Sequence, residues 1–418
     1  MDKIVVRGGN KLEGEVNISS AKNSVLPIIA ASILSGDKCV IDNAPMLEDV
    51  NVIGEILKSI SAKVDINRDN NKIIIDTSSI ANCEPDSELV KKMRASFLLM
   101  GPMMSRFGSF KISLPGGCNI GTRPIDLHLK GFTALGAKVT IGHGYVKGVA
   151  DRLIGNNIYL DFPSVGATEN LMMAAVMAEG ETTIENAAAE PEIEDLGKFL
   201  NEIGANVIGA GTDTVRIIGV KKLKGTTHRP IYDRIEAGTF MASAAITRSK
   251  IKINGVIEEH LKPIIAKLTE MGVDIKIEGE SAIVDATKEL KPIDIKTMPY
   301  PGFPTDMQAQ IMAILCSVKG TSVITETIFE NRFMHVSEMK RLGCNIKIDG
   351  RSAVIEGVDN LTGTQVKATD LRAGAALILC GLIAEGYTEV TDIYHIDRGY
   401  VKIEDKFKKL GADIKRIN

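Results

Sequence analysis

The sequence predicts an α/β protein of two domains, each built from three copies of one repeated unit, with its most apolar helices turned inward. Three observations carry that expectation. One short phrase recurs six times at a spacing of about 70 residues. Each recurrence leads into an alternating strand pattern and then a helix that is apolar on nearly all sides. A longer echo divides the chain into two halves of three units each.

The phrase is a helix end, a Gly followed by a small residue, and alternating apolar residues. It reads FTALGAKVTI from Phe132, FLNEIGANVIG from Phe199, KLTEMGVDIKI from Lys267, MKRLGCNIKI from Met339 and FKKLGADIKRI from Phe407. A degenerate copy, LKSISAKVDI, starts at Leu57. The key positions are Gly136, Gly204, Gly272, Gly343 and Gly411, with Ser61 in the first copy. A glycine there suits a left-handed helix C-cap. The second helices are NSVLPIIAASIL, RASFLLMGPMMSRF, TENLMMAAVMA, GTFMASAAITR, MQAQIMAILCSV and AGAALILCGLIA. A helix apolar all round has to be buried all round, so these six belong inside and the sheets and amphipathic helices outside. The longer echo pairs IVVRGGNKLEGEVNISSAK near the start with VRIIGVKKLKGTTHRPIYDR from Val215. It places the break near Lys221–Arg229, giving one domain over 22–229. The other is a discontinuous domain of 1–21 plus 230–418, because the first strand is expected to cross to the second half.

Composition narrows the function. The 418 residues are 44% hydrophobic and 25% charged, enough to bury large cores, and the formal net charge is −3. That balance gives no general attraction to nucleic acid or to an anionic membrane, so any anion site is local. The runs Val25 to Leu34 and Ala373 to Ala384 are shorter than a membrane span, and MDKIVVRGGN does not read as a signal peptide. The six cysteines form no CxxC pair, which suits a reduced, cytoplasmic protein. No HExxH, no tight Cys/His cluster and no GxxxxGK[ST] loop is present, so neither a metal nor a nucleotide cofactor is expected.

Cations stand at the starts of the apolar helices: Lys22, beside Asn23, at the first, Arg94 at the second, Arg234 at the fourth and Arg372 at the sixth. A cation in a first helical turn opposes the helix dipole, costing about 0.3–1 kcal/mol. Each could pair with a neighbouring acid, Asp233 or Glu236 for Arg234 and Asp370 for Arg372. Four of them in equivalent positions favour the other reading, in which helix N-termini and cations together face an anion. Asp306 is read differently. Thr305 is placed to cap its helix and Gln308 to reach back, which would make Asp306 by itself a structural residue. Cys118 lies in Leu114-Pro-Gly-Gly-Cys-Asn-Ile-Gly-Thr-Arg123, a loop by its glycines and prolines. A nearby guanidinium favours the thiolate, so this cysteine is the candidate reactive thiol, while Cys39, Cys316, Cys344 and Cys380 read as core.

Together PGGCNIGTRPIDLHL, KNSVLPI, RASFLLMGP, SVGATENLMMAA, DRIEAGTF, FPTDMQAQ, ETIFENRFMHV, DLRAGAAL and HIDRGY closely resemble the UDP-N-acetylglucosamine 1-carboxyvinyltransferase family of enolpyruvyl transferases, from the first residues to the last. The resemblance implies a two-domain inside-out α/β barrel with the active site in the cleft between the domains. It implies transfer of the enolpyruvyl group of phosphoenolpyruvate to the 3-hydroxyl of UDP-N-acetylglucosamine with release of phosphate, the step that opens peptidoglycan synthesis. On it, Cys118 is the proton donor and the target of epoxide phosphonates such as fosfomycin, Asp306 is the base, and Lys22 and Arg398 complete the catalytic set. Lys22, Asn23, Arg123, Arg332 and Arg398 meet phosphoenolpyruvate. Asn23, Arg94, Arg123, Pro124, Ile125, Asp126, Leu127, Ser164, Val165, Gly166, Thr305, Asp306 and Ile328 meet the UDP-sugar, and Arg372 is a further cleft residue. Glu48 and Phe162 stand where some relatives carry lysine, which shifts the pyrophosphate contact toward backbone N–H groups at Ser164–Gly166. Two alternatives stay open: 5-enolpyruvylshikimate-3-phosphate synthase, and a catalytically silent UDP-sugar-binding paralogue.

Overall fold

A computed structural model describes residues 2–81, 84–114 and 125–417. All six repeat positions adopt left-handed backbone: Gly136, Gly204, Gly272, Gly343 and Gly411 at φ between 93° and 108°, and Ser61 at 76°. Each ends an outer helix and turns the chain into a strand, namely Lys63–Asn67, Lys138–Ile141, Asn206–Ile208, Asp274–Glu278, Asn345–Asp349 and Asp413–Ile417. The glycine matters because it lets the helix stop within one residue, at a φ that costs a side chain about 1–2 kcal/mol. Ser61 is the repeat that carries this cost.

Among the described residues these strands belong to five four-stranded sheets and one three-stranded sheet. A common plan runs through them. In the fourth repeat Asp274–Glu278 forms a hairpin with Ser281–Asp285, which pairs antiparallel with Lys250–Asn254. Glu15–Asn17 then adds a parallel edge. In the last repeat Lys3–Arg7 takes the second hairpin position, antiparallel to both Tyr387–Thr391 and Asp413–Ile417. The N-terminal strand is therefore held in register by the C-terminal repeat. In the first repeat Thr227–His228 supplies the parallel edge to Lys38–Ile41.

The apolar helices are the interior. Helices Lys22–Ala31, Met100–Phe107, Val165–Ala175, Arg234–Ile246, Gln308–Leu315 and Leu371–Ile383 are buried along most of their length, Met100–Phe107 only over its first five residues, with the sheets lying outside them. Two start differently from a plain α-helix: Arg94–Leu99 and Thr305–Met307 are 3₁₀ turns leading into Met100 and Gln308. The chain gathers into two compact units, residues 2–19 with 232–417, and residues 20–114 with 125–231. Sequence periodicity thus translates into an inside-out α/β architecture, with helix triplets filling the space that sheets enclose.

Candidate functional site

In the unit of residues 232–417, Asp306 is the focus. It sits in the 3₁₀ turn before the fifth interior helix, where its carboxylate meets two guanidinium groups. Arg332 Nη2 donates to Oδ1 at 2.9 Å. Arg372 Nε donates to Oδ2 at 3.3 Å, with Nη2 at 3.2 Å. The arginine side chains are 5% and 2% exposed, against 28% for Asp306. The acid is thus the one member of the triad that faces outward. Two cations at this range stabilise its ionised form. Burial disfavours the charge on Arg372, but Tyr400, Asp306 and Asp233 more than offset that and hold it firmly protonated. Its guanidinium also stacks 5.3 Å from the Tyr400 ring centre. The Tyr400 hydroxyl lies 2.9 Å from Thr239 Oγ1 and accepts from Gln310 Nε2 at 3.3 Å.

Two readings that the sequence offered, the Thr305 cap and the alternative pairing of Arg372 with Asp370, fail here because each side chain finds a partner farther along the chain. Thr305 does not cap its helix. Its hydroxyl donates to Glu326 Oε2 at 2.9 Å, and no side chain caps the turn. Gln308 is buried and does not reach back. Nor does Arg372 pair with Asp370, which instead caps the helix, accepting from the N–H groups of Arg372 and Ala373 at 2.8 and 3.0 Å. Asp233 likewise caps the Arg234 helix, and the Arg234 guanidinium lies 5.5 Å from the Tyr300 ring centre. A short acid beside a helix start satisfies orphan N–H groups better than it reaches a long cationic side chain. Glu326, which sequence reasoning missed, gathers this corner. It accepts from Thr297 and Thr305 hydroxyls and from the N–H groups of Ile328 and Phe329. Arg398 ends the short helix Tyr394–Asp397, and its charge together with burial lowers the pKa of His395, burial being the larger cause.

In the unit of residues 20–231, Lys22 opens the first interior helix and binds Asp49 at 2.6 Å, with side chains 9% and 4% exposed. A pair this buried fixes the direction of the lysine side chain. Asn23, the next residue, is exposed. Ser24 turns inward and donates to Asp195, which also accepts from the Ile231 N–H at 3.1 Å. Arg94 stands at the second helix with its guanidinium 5.7 Å from the Phe97 ring centre. Ile125 precedes helix Asp126–Ala134, so Asp126 favours the dipole, and Ile125 and Leu127 are half-buried. Ser164 caps the third interior helix, accepting from the Ala167 N–H at 3.4 Å, with Val165 and Gly166 in its first turn. Phe162 is 46% exposed, and Glu48 lies exposed in a helix first turn where its acid suits the dipole.

Cys118, Arg123 and Pro124 lie outside the described residues. Cys39, Cys316, Cys344 and Cys380 are buried core thiols, and burial pushes the Cys39 thiol up. Asp49, Glu326, His128, Asn170 and Tyr400 are residues to which sequence reasoning gave no role; their respective partners Lys22, Thr305, Asn170, His128 and Thr239 lie 21 to 161 residues away. Among the described residues no group of three or more His, Cys, Asp or Glu is placed to hold a metal, and no helix is long and apolar enough to cross a membrane.

Comparison with known proteins bears on what such groups do. The family model described as EPSP synthase (3-phosphoshikimate 1-carboxyvinyltransferase) matches residues 6–407. UDP-N-acetylglucosamine 1-carboxyvinyltransferase 2 of Clostridium tetani is 76% identical over 417 residues, covering all of both chains. UDP-N-acetylglucosamine 1-carboxyvinyltransferase 1 of Staphylococcus aureus is 54% identical over 420 residues, again with full coverage. Among solved structures, the enolpyruvyl transferase NikO from Streptomyces tendae superposes with a TM-score of 0.90 at 26% identity, covering 99% of this chain and 98% of that one. EPSP synthase from Acinetobacter baumannii shares the fold, with a TM-score of 0.76 at 18% identity over the full length of both.

Proposed function

The chain belongs to the EPSP synthase family of enolpyruvyl transferases, and from that premise we propose that it transfers the enolpyruvyl group of phosphoenolpyruvate to the 3-hydroxyl of UDP-N-acetylglucosamine, releasing phosphate. The observation that carries the acceptor's identity is end-to-end likeness to relatives named for that acceptor. The reaction places the protein in the cytoplasm, at the start of peptidoglycan synthesis, where both substrates are small phosphorylated molecules.

The chemistry asks for a base, an acid and a positive frame. In the addition half, the 3-hydroxyl oxygen bonds to C2 of phosphoenolpyruvate as its proton leaves and another proton adds to C3. In the elimination half, the C2–O bond to phosphate breaks and a proton leaves the new methyl group, restoring the double bond. Asp306 is the base toward the 3-hydroxyl. The Arg332 and Arg372 cations favour its charged, proton-accepting form and at the same time weaken it as a base. It therefore acts through position, taking the proton as the C–O bond forms. Cys118 is the acid toward C3. Lys22, Asn23, Arg123, Arg332 and Arg398 meet phosphoenolpyruvate. Lys22 comes pre-aimed by Asp49, so little side-chain freedom is lost when phosphate displaces or shares that partner. Two charges 4 Å apart interact by about 4 kcal/mol at an effective dielectric of 20, so each fixed cation lowers the barrier to gathering two polyanions. Asn23, Arg94, Arg123, Pro124, Ile125–Leu127, Ser164–Gly166, Thr305, Asp306 and Ile328 hold the UDP-sugar.

Phosphate release tests the reading. The purified protein with phosphoenolpyruvate and UDP-N-acetylglucosamine is expected to release phosphate stoichiometrically with enolpyruvyl-sugar formation. Release with shikimate 3-phosphate instead, or UDP-sugar binding without turnover, would overturn it.

A further inference from the structure

We propose that Asn170 is the positioning residue of the UDP-sugar site: one buried amide that locks together the three segments carrying Arg94, Ile125–Leu127 and Ser164–Gly166. The proposal rests on the functional reading above and adds a residue to it. Asn170 lies one turn into the third interior helix and is fully buried. Its carbonyl oxygen accepts from the Gly101 N–H at 2.7 Å. Its amide nitrogen donates to the Phe97 carbonyl at 3.1 Å, reaches His128 Nδ1 at 3.0 Å and lies 3.4 Å from the Gly166 carbonyl. Phe97 belongs to the turn that starts at Arg94, His128 to the helix that starts at Asp126, and Gly166 to the helix capped by Ser164.

The partners fix the orientation of the amide. A backbone N–H needs an acceptor and a backbone carbonyl needs a donor, so only one of the two flips satisfies both Gly101 and Phe97. That choice presents N–H to His128 Nδ1. Burial first, and the Arg94 charge second, lower the pKa of His128 to about 4, so its ring is neutral near pH 7. A neutral ring accepting at Nδ1 carries its proton on Nε2. The ring lies directly against Gly166: a Cβ there would be 3.3 Å from Cε1 and 3.5 Å from Nε2. Gly101 is more tightly constrained: a Cβ there would clash with the Asn170 backbone oxygen and lie 3.0 Å from its side-chain Oδ1. The three segments are therefore packed to contact around one polar group, and a hydrophobic side chain at 170 could not replace its directional bonds. The amide touches none of the residues assigned to phosphoenolpyruvate alone.

The test is Asn170→Asp, which keeps the shape but turns the donor into an acceptor. It is expected to raise the KM for UDP-N-acetylglucosamine about tenfold, leaving the KM for phosphoenolpyruvate and kcat within about twofold. Nitrogen-15 chemical shifts of labelled histidine should show His128 moving its proton from Nε2 to Nδ1 or becoming charged. Asn170→Thr, smaller and neutral, should raise the same KM without the histidine change, and covers the case in which the aspartate variant does not fold. An unchanged acceptor KM in a folded variant, or equal losses in both KM values and kcat, would overturn the proposal while leaving the functional reading intact. Absence of turnover in the parent protein would overturn both.

Discussion

Asp306→Asn separates two views of the acid between the arginines. If Asp306 is held only for chemistry, neutralising it should cost activity and leave the fold as stable as before, or more so, as is common for strained active-site charges. The geometry predicts otherwise. Its carboxylate lies 2.9 Å from Arg332 and 3.2 Å from Arg372, and both arginines are almost fully buried. At about 3 Å and an effective dielectric of 20, each pair is worth about 5 kcal/mol of Coulomb energy before desolvation. An asparagine keeps one acceptor oxygen but removes the carboxylate charge that Arg332 and Arg372 share, leaving Asp233 as the remaining acid acting on Arg372. Breaking a buried pair costs about 3–5 kcal/mol, and the 28% exposure of Asp306 reduces the expected loss to about 3 kcal/mol. For a unit of this size that is about 6–12 °C in Tm. Differential scanning calorimetry reads it directly, and the loss should fall on the transition of the unit containing residues 232–417. The double variant with Arg372→Gln should recover part of it, with a coupling of about 1–3 kcal/mol. An Asp306→Asn protein as stable as its parent, or additivity within about 0.5 kcal/mol, would refute the ion-triad account.

Ser61→Gly should stabilise the protein by about 0.5–1 kcal/mol, since Ser61 sits at a φ of 76° where five repeats use glycine; a lower urea midpoint would count against the repeat argument. Acid should destabilise the unit of residues 20–231. His128 has a folded pKa of about 4 against 6.5 unfolded, so between those values only the unfolded chain takes up the proton, and stability falls as pH falls, by about 3 kcal/mol at pH 4. His228 acts in the opposite sense. Burial lowers its pKa, but Asp195 and Glu202 raise it more, so its stabilisation is full below 6.5 and disappears as pH rises through the raised value. His128→Gln should flatten the acid limb of the unfolding profile and leave the alkaline limb; an unchanged acid limb would show that His128 is not the group responsible. Finally, an epoxide phosphonate should label Cys118 and should fail on Cys118→Ser, which should also lose most turnover. Peptide mapping that found the adduct on buried Cys39, Cys316, Cys344 or Cys380 would overturn the assignment.

The sequence by itself determined the repeat, the inward helices and the strand that follows each turn. These are local matters: a glycine or a strained serine at one φ, an alternation of period two, a helix with no polar face. The residues assigned to the chemistry were legible too, because loops and helix starts carry unusual residues openly, and because the motifs around them match a family over the whole chain. Tertiary structure alone decided which charges meet. Arg372 has Asp370 two residues away, yet its partner is Asp306, because a capping carboxylate is already used by two backbone N–H groups. Lys22 finds Asp49, Thr305 finds Glu326, and Asn170 joins three segments that the sequence keeps apart. Side-chain partners at such separations follow from how the interior helices pack, and no local pattern encodes that. The repeated phrase builds the frame, and the packing of its copies aims the charges.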